Sequence, residues 1–208
     1  MSAEVLIIGG GIIGLSLARD LHKHGVSRIS IVEKGVCGRE SSWAAAGMLG
    51  PQAEANEGGG PFFDLTVASR DMYPEFADSL KDETGVDIEL DRAGTLYFAF
   101  SDGDAGEIRQ RLRWQKHMGL PVEALSADEA RKAEPFASPA VREALFFPND
   151  WQVETRKLLE ALRRYAELNG IKIIEKTAVD ELILDKGRVS GVETDSGVLN
   201  ADATVIAT

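Results

Sequence analysis

The feature that most constrains this chain lies between residues 4 and 33. Val5, Leu6, Ile7 and Ile8 form a short, unbroken apolar run, and Gly9, Gly10 and Gly11 follow it directly. Gly14 completes the spacing G-x-G-x-x-G. From residue 12 to 24 the pattern turns helical, with Leu15, Ala18 and Leu21 recurring on one face. Residues 28–32 are a second β-branched run that ends in Glu33. Strand, glycine turn, helix, strand and terminal acid in this order are what a dinucleotide fingerprint requires. Gly9 makes the tight turn, Gly11 lets a pyrophosphate approach the backbone, and Gly14 lets the helix pack close to the sheet. The free N–H groups and positive dipole end of the helix then face the phosphates. Glu33 stands at the strand tip, where a carboxylate accepts hydrogen bonds from a ribose diol. An acid there disfavours a 2′-phosphate, so these residues leave FAD and NAD open and argue against NADP.

Composition narrows the partners. The formal net charge is −11, which argues against nucleic acid or an anionic membrane surface. Hydrophobic content of 44% over 208 residues supports a true core in one large domain or two small ones. Cys37 is the only cysteine, so no intrachain disulfide forms, in keeping with a reducing, cytoplasmic setting. The apolar N-terminal run is too short and too poorly flanked for a signal peptide, and no stretch reaches membrane-spanning length. His22, His24 and His117 lie in polar helical surroundings, and no metal site is expected.

After Glu33 comes a segment of small residues preceded by hydroxyls, from Ser41 and Ser42 through Ala44, Ala45, Ala46 and Gly47 to Met48. Such a segment can press its backbone against a flat ligand, with the serines on phosphate, or it can be a plain helix cap and loop. Residues 54–61 read as a loop. A helix over 62–84 is expected to turn Leu65, Ala68, Met72, Phe76 and Leu80 to one face. Strands are expected at 87–90, 94–100 and 143–147, and helices at 104–118 and after the capping box Ser126-x-x-Glu129. Residues 154–169 form an amphipathic helix with Leu158, Leu159, Leu162, Tyr165 and Leu168 inward. A buried strand at 171–175, a meander over 178–185, 188–194 and 197–201, and a separate last strand at 203–208 complete the pattern. A buried strand is a poor place for a domain to stop, so the fold is expected to be incomplete at the C-terminus.

Several stretches resemble the flavoprotein amine oxidases of the D-amino-acid oxidase superfamily, and within it the glycine-oxidising branch tied to thiamine biosynthesis. They are Ile7-Ile8-Gly9-Gly10-Gly11-Ile12-Ile13-Gly14, Ser42-Trp43-Ala44-Ala45-Ala46-Gly47-Met48-Leu49, Phe62-Phe63-Asp64-Leu65, Ser69-Arg70, Thr84-Gly85-Val86-Asp87-Ile88 and Thr177-Ala178-Val179. The resemblance implies a Rossmann-like FAD-binding domain (α/β) over 1–84 and 149–208, interleaved with a partial α+β substrate domain over 85–148. It implies FAD as cofactor, with Gly9, Gly11, Ile12, Ile13 and Gly14 at the pyrophosphate. Glu33 would hold the adenosine ribose with Lys34 beside it, and Ser41 and Ser42 would hold phosphate or ribityl oxygens. Ala46, Gly47 and Met48 would lie along the isoalloxazine, and Val179 would meet the adenine through its backbone. Trp43 stands where some relatives carry a smaller residue. The implied reaction takes the amine of glycine or a small amino acid to an imine and reduces oxygen to hydrogen peroxide; a D-amino-acid or sarcosine dehydrogenase is the related alternative. An inactive flavin-binding fragment is another. No residue matches a catalytic position, so none is assigned, and the chain by itself is expected to be inactive and to self-associate, as a homo-oligomer or an aggregate.

Overall fold

The run of apolar β-branched residues, the glycine break and the amphipathic stretch that follow one another in the first thirty residues each form the element their pattern demands. The computed structural model describes residues 3–208. In order, the chain forms β1 (Ala3–Ile8), α1 (Ile12–Lys23), β2 (Ile29–Val32), α2 (Ser41–Ala44), β3 (Met48–Leu49), α3 (Pro61–Thr84) and β4 (Thr95–Ala99). There follow α4 (Asp102–His117), β5 (Glu123–Ser126), α5 (Ala127–Ala133), β6 (Glu143–Phe147) and β7 (Trp151–Gln152). The last elements are α6 (Thr155–Leu168), β8 (Lys172–Ile174), β9 (Val179–Asp185), β10 (Arg188–Thr194) and β11 (Gly197–Ile206). No helix among the described residues is long and apolar enough to cross a membrane.

The chain divides into two compact units. The larger comprises residues 1–46, 76–89 and 154–208, of which Met1 and Ser2 lie outside the described residues. Its sheet has the order β8-β2-β1-β11-β10-β9. The first four strands are parallel, with Ile7 opposite both Ile31 and Val205. The sequence expectation of a parallel sheet through Val5, Ile29, Ile173 and Val205 is met. Ile7, Ile31, Leu15, Leu158 and Leu162 are fully buried, which fits the near-continuous apolar run of a strand covered on both faces. Leu6, Ile8, Val32, Val192 and Ala201 form a second apolar cluster. Leu168, expected inward on α6, is exposed instead, because it falls in the last turn beyond the reach of the sheet.

The sequence separates a meander strand at 197–201 from a last strand at 203–208, and the structure joins them. β11 is one strand of ten residues. Its first part pairs antiparallel with β10, from Thr194–Gly197 to Gly191–Asn200, and its second part pairs parallel with β1. The polar pair Asn200 and Asp202 looks like a break in the sequence, but marks only the place where the strand changes neighbours.

The smaller unit comprises residues 47–75 and 90–153, so 47–75, which the sequence reading set with the first part of the chain, packs with the later segment. It holds an antiparallel sheet of order β4-β6-β5 and the short β3–β7 pair. Strand 143–147 is the central strand of this sheet and β4 lies at its edge. Ala99, Ile108, Val122, Leu145 and Phe147 fill the core between this sheet and α4. Residues 87–90, expected as a strand, form none; only Asp91 makes an isolated bridge, to Gln152. The side chains of Asp87 and Asp91 accept the N–H groups of Glu89 and Ala93 and turn the backbone out of ladder geometry.

α3 begins with Pro61 in the first turn, a favoured place for a residue without an N–H. The apolar face expected of it is only half realised. Phe76 and Leu80 are inward, but Leu65 and Met72 are exposed, and Phe63 and Arg70 are buried in their place. The helix gives residues up to 75 to the smaller unit and the rest to the larger, so different faces are covered in its two halves.

Candidate functional site

The parallel strands set the site, because their carboxyl ends open onto a crevice at the glycine turn. Gly9 takes φ +109°, and a Cβ there would lie 2.4 Å from Ala207 O. A Cβ on Gly14 would lie 2.0 Å from Gly9 O, so α1 can start this close to the turn only with glycine at both places. Gly9 N–H donates to Val32 O at 2.9 Å, and Gly10 O accepts from Gly38 N–H at 2.8 Å and from Cys37 Sγ at 3.1 Å. The turn is thus pinned by β2 and by the segment that follows it.

Glu33 does more than cap a strand. It is buried, and its two carboxylate oxygens accept the N–H groups of Gly10 and Gly35, each at 2.8 Å. These bonds tie the glycine turn to the residues after β2. A carboxylate has about four lone-pair sites, so two remain for a ligand's hydroxyls. Ser42 Oγ accepts the N–H of Ile12 at 3.1 Å. Ser41 and Ser42 both lie inside α2, with Glu40 before it, so neither caps that helix as the helix-cap alternative has it. A Cβ on Gly11 would stand 3.2 Å from the same Oγ.

These groups surround a cleft of about 440 Å³ in the larger unit. Gly9, Gly11, Ile12 and Ile13 line it from the turn and the start of α1. Glu33, Lys34, Ser41 and Ser42 line it from the second strand and the segment beyond, and Val179 from β9. Gly14 lies behind the wall as a packing residue. Ala46, Gly47 and Met48 do not line this cleft; Ala46 is exposed in the larger unit, while Gly47 and Met48 belong to the smaller. Thr177, Ala178, Ala207 and Thr208 also line the cleft and were not singled out as site residues. The topology predicts the last two, since a strand parallel to β1 delivers its own carboxyl end to the same edge.

The walls suit a dinucleotide. The turn has room at Gly11 that a side chain would fill, and the start of α1 presents N–H groups without intrahelical partners. A hydroxyl and a carboxylate with spare lone pairs stand beside them. Behind the turn, Glu175 accepts the N–H of Cys37 at 2.8 Å and pairs with Arg163 at 2.7 Å, and these contacts hold its carboxyl below the usual carboxylate range. Burial pushes the Cys37 thiol up to about 11, so it is a weak donor to the turn and not a nucleophile. Among the described residues no group of three or more His, Cys, Asp or Glu side chains could hold a metal.

Such a sheet, with a glycine turn at its carboxyl edge and a meander beside it, defines a dinucleotide-binding α/β protein. The chain belongs to the family of FAD dependent oxidoreductases, whose sequence model matches residues 4–208. It is similar to the glycine oxidase of Geobacillus kaustophilus, 35% identical over 206 residues, covering 98% of this chain and 54% of that protein. The glycine oxidase of Bacillus licheniformis is 37% identical, with 98% and 53% covered. The solved structure of the Geobacillus glycine oxidase superposes with a TM-score of 0.90 at 35% identity, over 99% of this chain and 55% of the other. The chain therefore spans about half the length of the curated glycine oxidases it matches. FAD, one of the two cofactors the glycine turn left open, is the cofactor of this family.

Proposed function

We propose that this chain is the FAD-binding part of an amine oxidase that converts glycine or another small amino acid to its imine and reduces oxygen to hydrogen peroxide. The observation that supports the cofactor's position is the convergence of Gly9, Gly11, Ile12, Ile13, Glu33, Lys34, Ser41, Ser42 and Val179 on one cleft. In this reading the turn at Gly9 and Gly11, the N–H of Ile13, and the close packing at Gly14 serve the pyrophosphate, with Ile12 held beside it by Ser42. Glu33 keeps its two backbone bonds and gives its remaining lone pairs to the ribose, with Lys34 alongside. Ser42 donates its free hydroxyl proton to a phosphate or ribityl oxygen while its lone pair holds Ile12, and Ser41 assists from the rim. Val179 meets the adenine through its backbone. Ala46, Gly47 and Met48 keep the isoalloxazine role that the family resemblance implies.

When bound, FAD supplies the acceptor chemistry for the amine's α-hydrogen. The residues of the cleft orient it and neutralise its phosphates with backbone dipoles. No residue of this chain is assigned a catalytic role. The larger unit is proposed as the FAD-binding domain and the smaller as part of a substrate domain. Because the chain spans about half of its relatives, turnover is proposed for the whole protein, in the cytoplasm, with a small amine and oxygen as partners. The similarity to glycine oxidases is what favours glycine among small amines.

Adding the purified chain to FAD and following flavin fluorescence tests the binding. Saturable quenching is expected, and Gly11→Val should abolish it, since its branched side chain would enter the space beside Ser42. Equal quenching by Gly11→Val would overturn the assignment. For the reaction, the whole protein supplied with glycine should release peroxide; dye reduction without peroxide would identify a dehydrogenase instead.

A further inference from the structure

α2 is only four residues long, none of them buried, and it has no side-chain cap. A single turn of helix does not hold itself in water. Yet this turn presents Ser41 and Ser42 to the cleft and sets Ser42 Oγ 3.1 Å from the N–H of Ile12. Its support must come from outside its own backbone.

Trp43 supplies it. The Arg39 guanidinium lies 3.7 Å from the centroid of the Trp43 ring, and Arg156 reaches the same ring at 5.3 Å. Arg39 belongs to the segment leading into α2. Arg156 belongs to the first turn of α6, a helix fixed by the buried Leu158, Leu159 and Leu162. Next to it, Thr155 Oγ1 donates to Ala45 O at 3.0 Å, just past the end of α2. The indole is therefore a bridge between a weak turn and a rigid helix. An indole is the best aromatic partner for a cation, and a planar guanidinium stacks on it as an ammonium cannot.

We propose that Trp43 is a positioning residue for the cofactor's phosphates: bound by Arg39 and Arg156, it ties α2 to α6 and so holds Ser42 against Ile12. The geometry stands by itself; only its consequence for the cofactor rests on the FAD reading above. The residue type matters, because a smaller residue at position 43 leaves Arg156 with nothing to stack on, and the tie from α6 is then reduced to the Thr155 bond just past the end of α2.

The test uses the whole 208-residue chain. Amide hydrogen exchange, without FAD, is compared for wild type, Trp43→Phe and Trp43→Ala. In Trp43→Ala the Ile12 amide should exchange at least about ten-fold faster, while the amides of β1 and the middle of α6 keep their rates. Trp43→Phe, which keeps an aromatic face, should stay within about three-fold of wild type. FAD affinity from flavin fluorescence should follow, falling about ten-fold for Ala and less than about three-fold for Phe. An Ile12 amide as protected in Trp43→Ala as in wild type would overturn the proposal. Where Trp43→Ala raises exchange throughout the chain, Arg156→Gln is read instead. It keeps the indole and should deprotect Ile12 alone, and an unchanged Ile12 there overturns the proposal equally. If wild type binds no FAD but Ile12 still loses protection in Trp43→Ala, the bridge stands and the FAD reading falls.

Discussion

Glu33 shows how one side chain can serve folding before it serves a ligand. Its carboxylate accepts two backbone N–H groups from Gly10 and Gly35 in a buried setting. Glu33→Ala strands both donors, so the protein should lose about 1–3 kcal/mol of stability even without cofactor, seen as an earlier urea midpoint. FAD affinity should weaken as well. Asp150 plays a comparable part in the smaller unit, accepting Gln52 N–H at 3.1 Å and Ala53 N–H at 2.6 Å while fully buried. Burial holds its carboxyl above the ordinary value, against the opposing pull of those N–H groups and of Arg70. The folded state therefore binds the proton more readily than the unfolded one. Stability from this group is fully present below the unfolded value and is lost as pH rises through the folded one. Asp150→Asn removes the titration and turns an amide donor toward one backbone N–H. Urea melts should show it less stable than wild type, by a margin wider at pH 4 than at pH 7. Cys37 yields a simpler expectation. With its thiol buried and its pKa near 11, a thiol reagent at pH 8 should label it far more slowly in the native chain than in denaturant.

Among elements, those with a complete local signal were legible in the sequence. The capping box Ser126-x-x-Glu129 forms as read, with Ser126 Oγ accepting Glu129 N–H and the Glu129 carboxylate accepting Ser126 N–H. α5 has only seven residues, so the cap is a large part of what holds it. Ser126→Ala should cost about 1 kcal/mol, measurable by thermal melting. β1, α1, β2 and β6 were legible for the same reason: period and punctuation agree within a few residues. The face of α3 was not, since periodicity reports apolar positions but not which of them a neighbour covers. Nor was the union of the last two strands, because a strand that trades one partner for another needs no apolar continuity at the crossover. In the site, the glycine turn and Glu33 stand at the strand ends where spacing and residue type put them, whereas Ser42 was open between a phosphate ligand and a helix cap, and its bond to Ile12 was not legible. The two backbone bonds that occupy Glu33 were not, because they depend on where Gly10 and Gly35 come to rest.

For the whole molecule, a ligand that binds only the folded state adds stability by mass action, about 2.7 kcal/mol at a hundred times its dissociation constant. With FAD present, hydrogen exchange should slow in the strands and helices that frame the cleft, β1, α1, β2 and β11 foremost. No slowing there at saturating FAD would place the cofactor elsewhere. β11 also imposes an order in time. Ala207 N–H donates to Ile8 O at 2.8 Å, and β1 takes Ala203 through Ile206 as neighbours. During synthesis the glycine turn leaves the ribosome ahead of the strand that flanks it, which comes some two hundred residues later. At typical elongation of roughly 5–20 residues per second, that interval is on the order of ten to forty seconds. Through it the nascent turn has β2 available on one side and nothing on the other, and residues 3–14 are within reach of chaperones and proteases. The nucleotide cleft is thus begun at the glycine turn and finished only when β11 arrives.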